Sequence, residues 1–227
     1  MINFTKRSYT PELLDADVIP KADLFQNLKE LKIINTLLGG HRVVLNGISK
    51  FAKKAPSLYV VEIGSGGGDN LGAIRSKYPD FSLEGVDLKL DCTTYARSQN
   101  PSVRFQTADY QKVTFHKKPD VLFNSLFCHH FTDEQLVDML KWMNEHSSKG
   151  FIIADLHRHW LAYYSIALLT RLFSNSYLVK NDAPLSVLRG FKRSEWEKLL
   201  SQAGISHAKI RWQWAFRFLI IVDHAQK

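Results

Sequence analysis

The sequence predicts a doubly wound α/β fold built on a mainly parallel sheet. Three observations lead there. Short apolar runs alternate with stretches of helical spacing between residues 58 and 155. The first of these runs ends in a glycine turn and a helix start, Glu62-Ile63-Gly64-Ser65-Gly66-Gly67-Gly68-Asp69-Asn70. The last two apolar runs, 208–214 and 218–222, follow too closely for a helix between them, so they read as an antiparallel pair.

Residues 22–38 carry Leu24, Leu28, Leu31, Ile34 and Leu38 on or near one helical face, and Gly39-Gly40 stops them. A second helix over 42–54 is closed by Pro56, so two helices form an extension before the first strand. Strands follow at 58–63, 83–86, 103–106, 121–126 and 151–154. Helices between them run to about Tyr78, over 94–98, and from Thr132 to about Glu145, where Thr132 and Gln135 make a capping box. An apolar helix over 160–173 leads into a stretch read as irregular to Phe191. Ser194 and Glu197 cap a last helix that ends near Gly204. A chain of 227 residues with 45% hydrophobic content suits one domain, 1–227. It divides into N-terminal helices forming part of a lid (1–56), a cofactor-binding core (57–155), a lid and acceptor insertion (156–191), and a closing helix and strand pair (192–227).

The net charge of +8 comes from scattered residues, with no run of five or more, so it reads as a solvated basic surface. Two cysteines, Cys92 and Cys128, support neither a disulfide framework nor a metal-ligand spacing, which fits a reducing, cytoplasmic setting. Residues 1–11 lack the apolar core of a signal peptide. The 160–173 stretch is too short to span a bilayer, although contact with a membrane surface stays open.

A dinucleotide fingerprint starting at Gly64 would place its last glycine at position 69, which is Asp69, and an acid there faces a pyrophosphate badly. This disfavours nicotinamide chemistry. The pattern is instead Glu62-x-Gly64-x-Gly66-x-Gly68, an acid followed by spaced glycines at a strand-to-helix turn. Asp87 ends the second strand about twenty residues on, where an acid accepts from ribose hydroxyls. Asp109 follows the third strand. On a doubly wound sheet these three acids share one rim.

Together these motifs resemble class I S-adenosylmethionine-dependent methyltransferases, over roughly residues 58–155. The resemblance implies a Rossmann-like seven-stranded sheet with its last strand antiparallel, and S-adenosylmethionine as cofactor with S-adenosylhomocysteine as product. The implied cofactor contacts are Glu62, Gly64, Ser65, Gly66, Gly68, Asn70, Asp87, Leu88, Asp109, Tyr110, Ser125 and Leu126, with Asp109 meeting the adenine amino group.

After the fourth strand comes Cys128-His129-His130-Phe131. Methyl transfer to a phenolic or enolic oxygen needs a base, and histidine suits one near neutral pH. His130 is placed slightly ahead of His129. No metal site is expected, because adjacent histidines do not converge easily on one ion. The segment Asp155-Leu156-His157-Arg158 and the residues Tyr163 and Arg189 are read as acceptor contacts: His157, Arg158, Tyr163, Arg189. The double histidine with this segment resembles a bacterial subgroup similar to ubiquinone and menaquinone biosynthesis methyltransferases. That implies O-methylation of a small aromatic, phenolic or quinone-like acceptor, with C-methylation open.

Two rival functions are kept. A nucleic-acid methyltransferase is disfavoured because Asn124-Ser125-Leu126-Phe127 lacks prolines and no basic-aromatic RNA module is visible. A non-catalytic S-adenosylmethionine-binding protein is disfavoured by the histidines beside the cofactor turn. The oligomeric state is not legible.

Overall fold

A computed structural model describes residues 2–53 and 55–226. Met1, Lys54, at the end of the second expected helix, and Lys227 lie outside the described residues. The elements run α1 Lys21–Leu37, α2 Gly40–Ala52, β1 Tyr59–Ile63, α3 Asp69–Lys77, β2 Ser82–Asp87, α4 Leu90–Gln99, β3 Arg104–Thr107 and β4 Val121–Ser125. Then come α5 Asp133–His146, β5 Gly150–Leu156, α6 Trp160–Phe173, α7 Tyr177–Arg189, α8 Arg193–Gln202, β6 Lys209–Gln213 and β7 Arg217–Asp223.

The strands form one seven-stranded sheet in the order β3-β2-β1-β4-β5-β7-β6. β1 to β5 are parallel, and β7 runs antiparallel to both of its neighbours, β5 and β6. The strand order reverses between β1 and β4, so a crevice opens at the carboxyl ends of β1, β2 and β4.

Each central strand is buried on both faces, as the continuous apolar runs require. Val60 joins Val44, Ile48, Phe51, Leu71 and Ile74 on the face carrying α2 and α3. Its neighbour Val61 points the other way, into Leu136, Met139, Met143 and Trp196 of α5 and α8. The expected lid role thus splits: α2 is a layer of the sheet, while α1 stands over the rim.

Two local expectations are corrected. Residues 177–189 are helical, not irregular: Ser176 caps α7 by accepting from the Val179 N–H, and Pro184 sits inside the helix. A proline inside a helix removes one backbone donor, which is why the pattern reads as a break. α8 starts at Arg193 with Lys192 as its N-cap, two residues ahead of the expected Ser194 cap, and its Glu195 accepts from the Lys192 N–H instead of a Ser194–Glu197 box. The Thr132–Gln135 box is present in both directions. The outward face of α6 exposes Trp160, Tyr164, Leu168, Leu172 and Phe173. No helix among the described residues is long and apolar enough to cross a membrane.

Candidate active site

The turn after β1 is shaped by backbone conformations that favour glycine. Gly64, Gly66 and Gly68 have φ of 68°, 49° and 73°. A Cβ on Gly64 would also lie 2.2 Å from the Phe127 ring. The turn is tied to β2: Ser65 N–H donates to the Val86 carbonyl, and Gly66 N–H to Asp87 Oδ2 at 2.8 Å. Asp87 Oδ1 accepts from Lys89 N–H at 2.9 Å, so one carboxylate shapes two turns. Burial raises the Asp87 pKa against these two backbone hydrogen bonds.

Glu62, at the β1 tip, is 1% exposed. Its Oε1 accepts from Asn70 Nδ2 at 2.8 Å, and its Oε2 has no partner. Burial, reinforced by Asp69 and then by Asp87, pushes Glu62 well above the ordinary carboxylate range. Asn70 Oδ1 and Ser65 Oγ are likewise buried without partners. Leaving such groups unpaired is costly, so the rim holds buried polar atoms open to a ligand's hydrogen bonds. Asp69 differs: His41 Nε2 lies 2.7 Å and Asn35 Nδ2 3.1 Å from its Oδ2. Burial acts upward on Asp69, but the hydrogen bond and charge of His41 hold it below its usual value.

These groups line a cavity of about 520 Å³. All of the expected cofactor contacts reach it except Gly68. Gly68 instead begins α3, where a Cβ would meet the Phe105 ring at 2.7 Å. Asp109 Oδ1 accepts from Gln111 N–H. Tyr110 meets Phe127, Phe131 and Trp142 edge-on, forming an aromatic wall. α1, expected as part of a lid, supplies one wall of the same cavity through Leu28, Leu31 and Asn35.

A second cavity, of about 300 Å³, adjoins the first. Its walls are mostly apolar: Ile34 and Leu38, Ala162, Ile166 and Leu169, Val179 and Val187, and the β6–β7 turn at Trp214 and Phe216. Leu14, Leu31, Asn35, Leu126 and His130 line both cavities, so the two meet at these residues. Leu126 holds a left-handed φ of 52°, uncommon for a branched residue. Strain of this kind persists where the surroundings over-determine it, and it clusters at functional sites.

The two histidines sit in a 3-10 turn, Cys128–His130. His129 is 2% exposed, and its Nδ1 lies 2.8 Å from Asp155 Oδ1. His130 Nδ1 lies 2.8 Å from Asp15 Oδ1. Both Nε2 atoms approach Glu12, at 3.5 Å from Oε1 for His129 and 3.9 Å from Oε2 for His130. Adjacent histidines are not expected to converge easily on one ion, yet one atom from each of Glu12, His129 and His130 falls within 4.8 Å of the others. The rings lie side by side, with centroids 4.4 Å apart. Glu12 comes from the segment before α1, which the sequence offered no periodic signal to place.

None of the four expected acceptor contacts lines either cavity. Arg158 is 2% exposed and donates to the carbonyls of Phe4, Thr5 and Gly190 and to Glu195. Arg189 donates to the carbonyls of His129 and Thr10 and to Asp15, bracing the N-terminal segment against the histidine turn. His157 packs on Phe218, and Tyr163 on Phe4. Buried arginines committed to carbonyls and carboxylates in this way hold structure together.

Residues 60–150 match the family model described as a methyltransferase domain. No curated protein matches the chain in sequence. Among solved structures, human N-acetylserotonin methyltransferase in complex with SAM is similar at TM-score 0.65 and 18% identity, over 90% of this chain and 56% of that one. The plantazolicin methyltransferase BpumL in complex with SAH is similar at TM-score 0.63 and 19% identity, over 84% of this chain and 78% of that one. The S-adenosylmethionine-dependent methyltransferase SibL is similar at TM-score 0.54 and 14% identity, over 73% and 50%. This chain thus spans about half the length of two of the three and shares their fold. Residues 60–150, on the sheet and rim described above, match a methyltransferase domain, and the chain has the fold of these methyltransferase structures.

Proposed function

We propose that the protein transfers the methyl group of S-adenosylmethionine to the hydroxyl of a small aromatic, phenolic or quinone-like acceptor. The observation that carries this reading is the junction of the two cavities at Leu126 and His130. One side offers acids and unpartnered buried oxygens, the other an apolar chamber. Methyl transfer is an in-line displacement, so the chain mainly has to align two ligands and exclude water.

The residues present fit the cofactor. The unpartnered Oε2 of Glu62 suits the ammonium of an amino acid. The carboxylate of Asp87 retains lone pairs for ribose hydroxyls beside its two backbone bonds. Asp109 and Tyr110, which line the same cavity, suit the adenine side. When bound, the cofactor supplies an activated methyl group, and Leu126 with His130 directs the acceptor toward it. With Nδ1 of each histidine donating to a carboxylate, Nε2 is left as the atom able to take a hydrogen bond or a proton from the acceptor. The named acceptors of the similar structures differ, N-acetylserotonin in one and plantazolicin in another, so the shape of the second cavity carries the choice here. Its size and apolar walls favour a ring of modest size.

The test is incubation of the full chain with methyl-labelled S-adenosylmethionine and a panel of phenols, hydroquinones, peptides and RNA. Label in the phenolic or hydroquinone fraction is expected. Label found only in peptide or RNA, or no turnover despite cofactor binding, would overturn the acceptor assignment.

A further inference from the structure

We propose that Glu12, His129 and His130 form a binding site for one first-row divalent metal ion, of the zinc type, with an open position toward the acceptor cavity. Zinc–nitrogen and zinc–oxygen bonds of about 2.0–2.2 Å place neighbouring tetrahedral ligand atoms about 3.3 Å apart. The Nε2-to-carboxylate separations of 3.5 and 3.9 Å are close to that spacing. Small side-chain rotations would close the remainder.

A second, independent observation points the same way. Metal-bound histidines almost always donate their other ring N–H to a carboxylate or carbonyl, which fixes the tautomer and aims the free nitrogen. Both histidines have this arrangement: His129 Nδ1 is on the fully buried Asp155, and His130 Nδ1 is on Asp15. Asp15 is itself held by Arg189 at 2.9 Å. Glu12 is positioned by Ser186, whose hydroxyl donates to Oε1 at 2.7 Å. Arg189 stands 3.9 Å from that oxygen, but its hydrogen bonds go to Asp15 and to the Thr10 and His129 carbonyls.

Two imidazoles and one carboxylate suit zinc, cobalt and related ions better than magnesium or calcium, which prefer all-oxygen sites. Three protein ligands with a fourth position open is the pattern of reactive metal sites, whereas structural sites are closed by four. All three residues line the acceptor cavity, and His130 also borders the cofactor cavity. The open position would therefore take an ionised acceptor oxygen, its proton having left to solvent on binding. The purpose of the ion rests on the methyl-transfer reading, but its binding does not. In the loaded protein the ion holds the acceptor oxygen in place of the imidazoles.

The test is chelator-treated full-length protein titrated with Co²⁺ and followed by its visible absorption, then competed with Zn²⁺. One equivalent of Co²⁺ with the intense bands of a four- or five-coordinate nitrogen–oxygen site is expected. Affinity should fall at least about tenfold in both Glu12→Gln and His130→Ala, since losing only an outer-shell partner of a ligand already costs about 10–100-fold. The melting temperature and far-ultraviolet circular dichroism serve as fold controls for each variant. No absorbing equivalent, or the same spectrum and affinity in both variants, overturns the proposal. The two readings fail separately. A Co²⁺ site without methyl transfer sinks the function and spares the metal, while methyl transfer by a protein that takes up no absorbing equivalent of Co²⁺ does the reverse.

Discussion

The cofactor rim and the acceptor chamber are adjoining cavities built in opposite ways. The rim takes its polar groups from the ends of successive parallel strands and the turns that follow, largely within residues 62–126. The chamber gathers Glu12 from before the first helix, Ile34 from α1, Ile166 from α6, Val187 from α7 and Trp214 from the closing hairpin. One is fixed by sheet topology, so any chain with this strand order places its rim in the same crevice. The other depends on packing between distant segments and has no local rule behind it. The rim should therefore tolerate the least change, and the chamber should change what is methylated without changing how the cofactor binds.

Gly64→Ala gives the largest expected effect. The new Cβ meets the Phe127 ring at 2.2 Å and requires a φ of 68° from a residue with a side chain. Strain and overpacking together should cost about 3 kcal/mol of stability, with loss of S-adenosylhomocysteine binding, measured by denaturant melts and calorimetry. A variant of wild-type stability and affinity would show that the turn is not rigid.

Ala183→Phe acts on the other side. Ala183 lines the acceptor chamber and not the rim. Filling the chamber should lower turnover about 100-fold, or about 2.7 kcal/mol in the barrier, because the acceptor cannot reach an aligned pose. Cofactor affinity should stay within about twofold, since no rim contact is touched. If affinity falls in parallel with turnover, the two cavities are one mechanical unit and the contrast drawn here is lost.

How far each region was legible in the sequence follows the same division. Glu62, Asp87 and Asp109 were readable because a strand end followed by a glycine or acid is a short-range signal with a fixed place on the sheet. The chamber was not. Arg158 and Arg189 look like ligand-binding cations in sequence, yet burial commits both to backbone carbonyls and to Glu195 or Asp15. α7 was hidden by Pro184, a residue that normally ends helices. Glu12 lies in a segment without periodicity, and only the fold brings it to the histidines. The histidines themselves were found by their residue type, but their convergence required knowing that Asp155 and Asp15 lock each ring.

Asp87→Ala tests the rim at its second strand. The substitution leaves the Gly66 and Lys89 N–H groups without their acceptor. Two lost charge-assisted bonds should cost about 2 kcal/mol, partly in stability and partly in cofactor affinity. Fluorescence-monitored unfolding with and without S-adenosylhomocysteine separates the two. A loss confined to affinity would mean that the carboxylate serves the ligand alone.

The smallest effect is the most specific. Burial, then Asp69 and Asp87, raises the Glu62 pKa, so without ligand this carboxyl holds its proton at pH values where an ordinary glutamate has lost it. An ammonium placed at its unpartnered oxygen favours the ionised form. Binding should then release a proton across the window between the ordinary glutamate value and the raised one. Affinity should rise with pH through that window and level off once the unliganded Glu62 ionises unaided. Calorimetry of S-adenosylhomocysteine binding in buffers of different ionisation enthalpy reads the proton directly. Glu62→Gln keeps the carbonyl that Asn70 needs but cannot ionise, so it should abolish the release and weaken binding about tenfold. The substitution leaves the acceptor chamber untouched, so selectivity among acceptors should not change. Proton release that survives in Glu62→Gln would assign the titrating group to Asp87 and move the cation site from the first strand tip to the second.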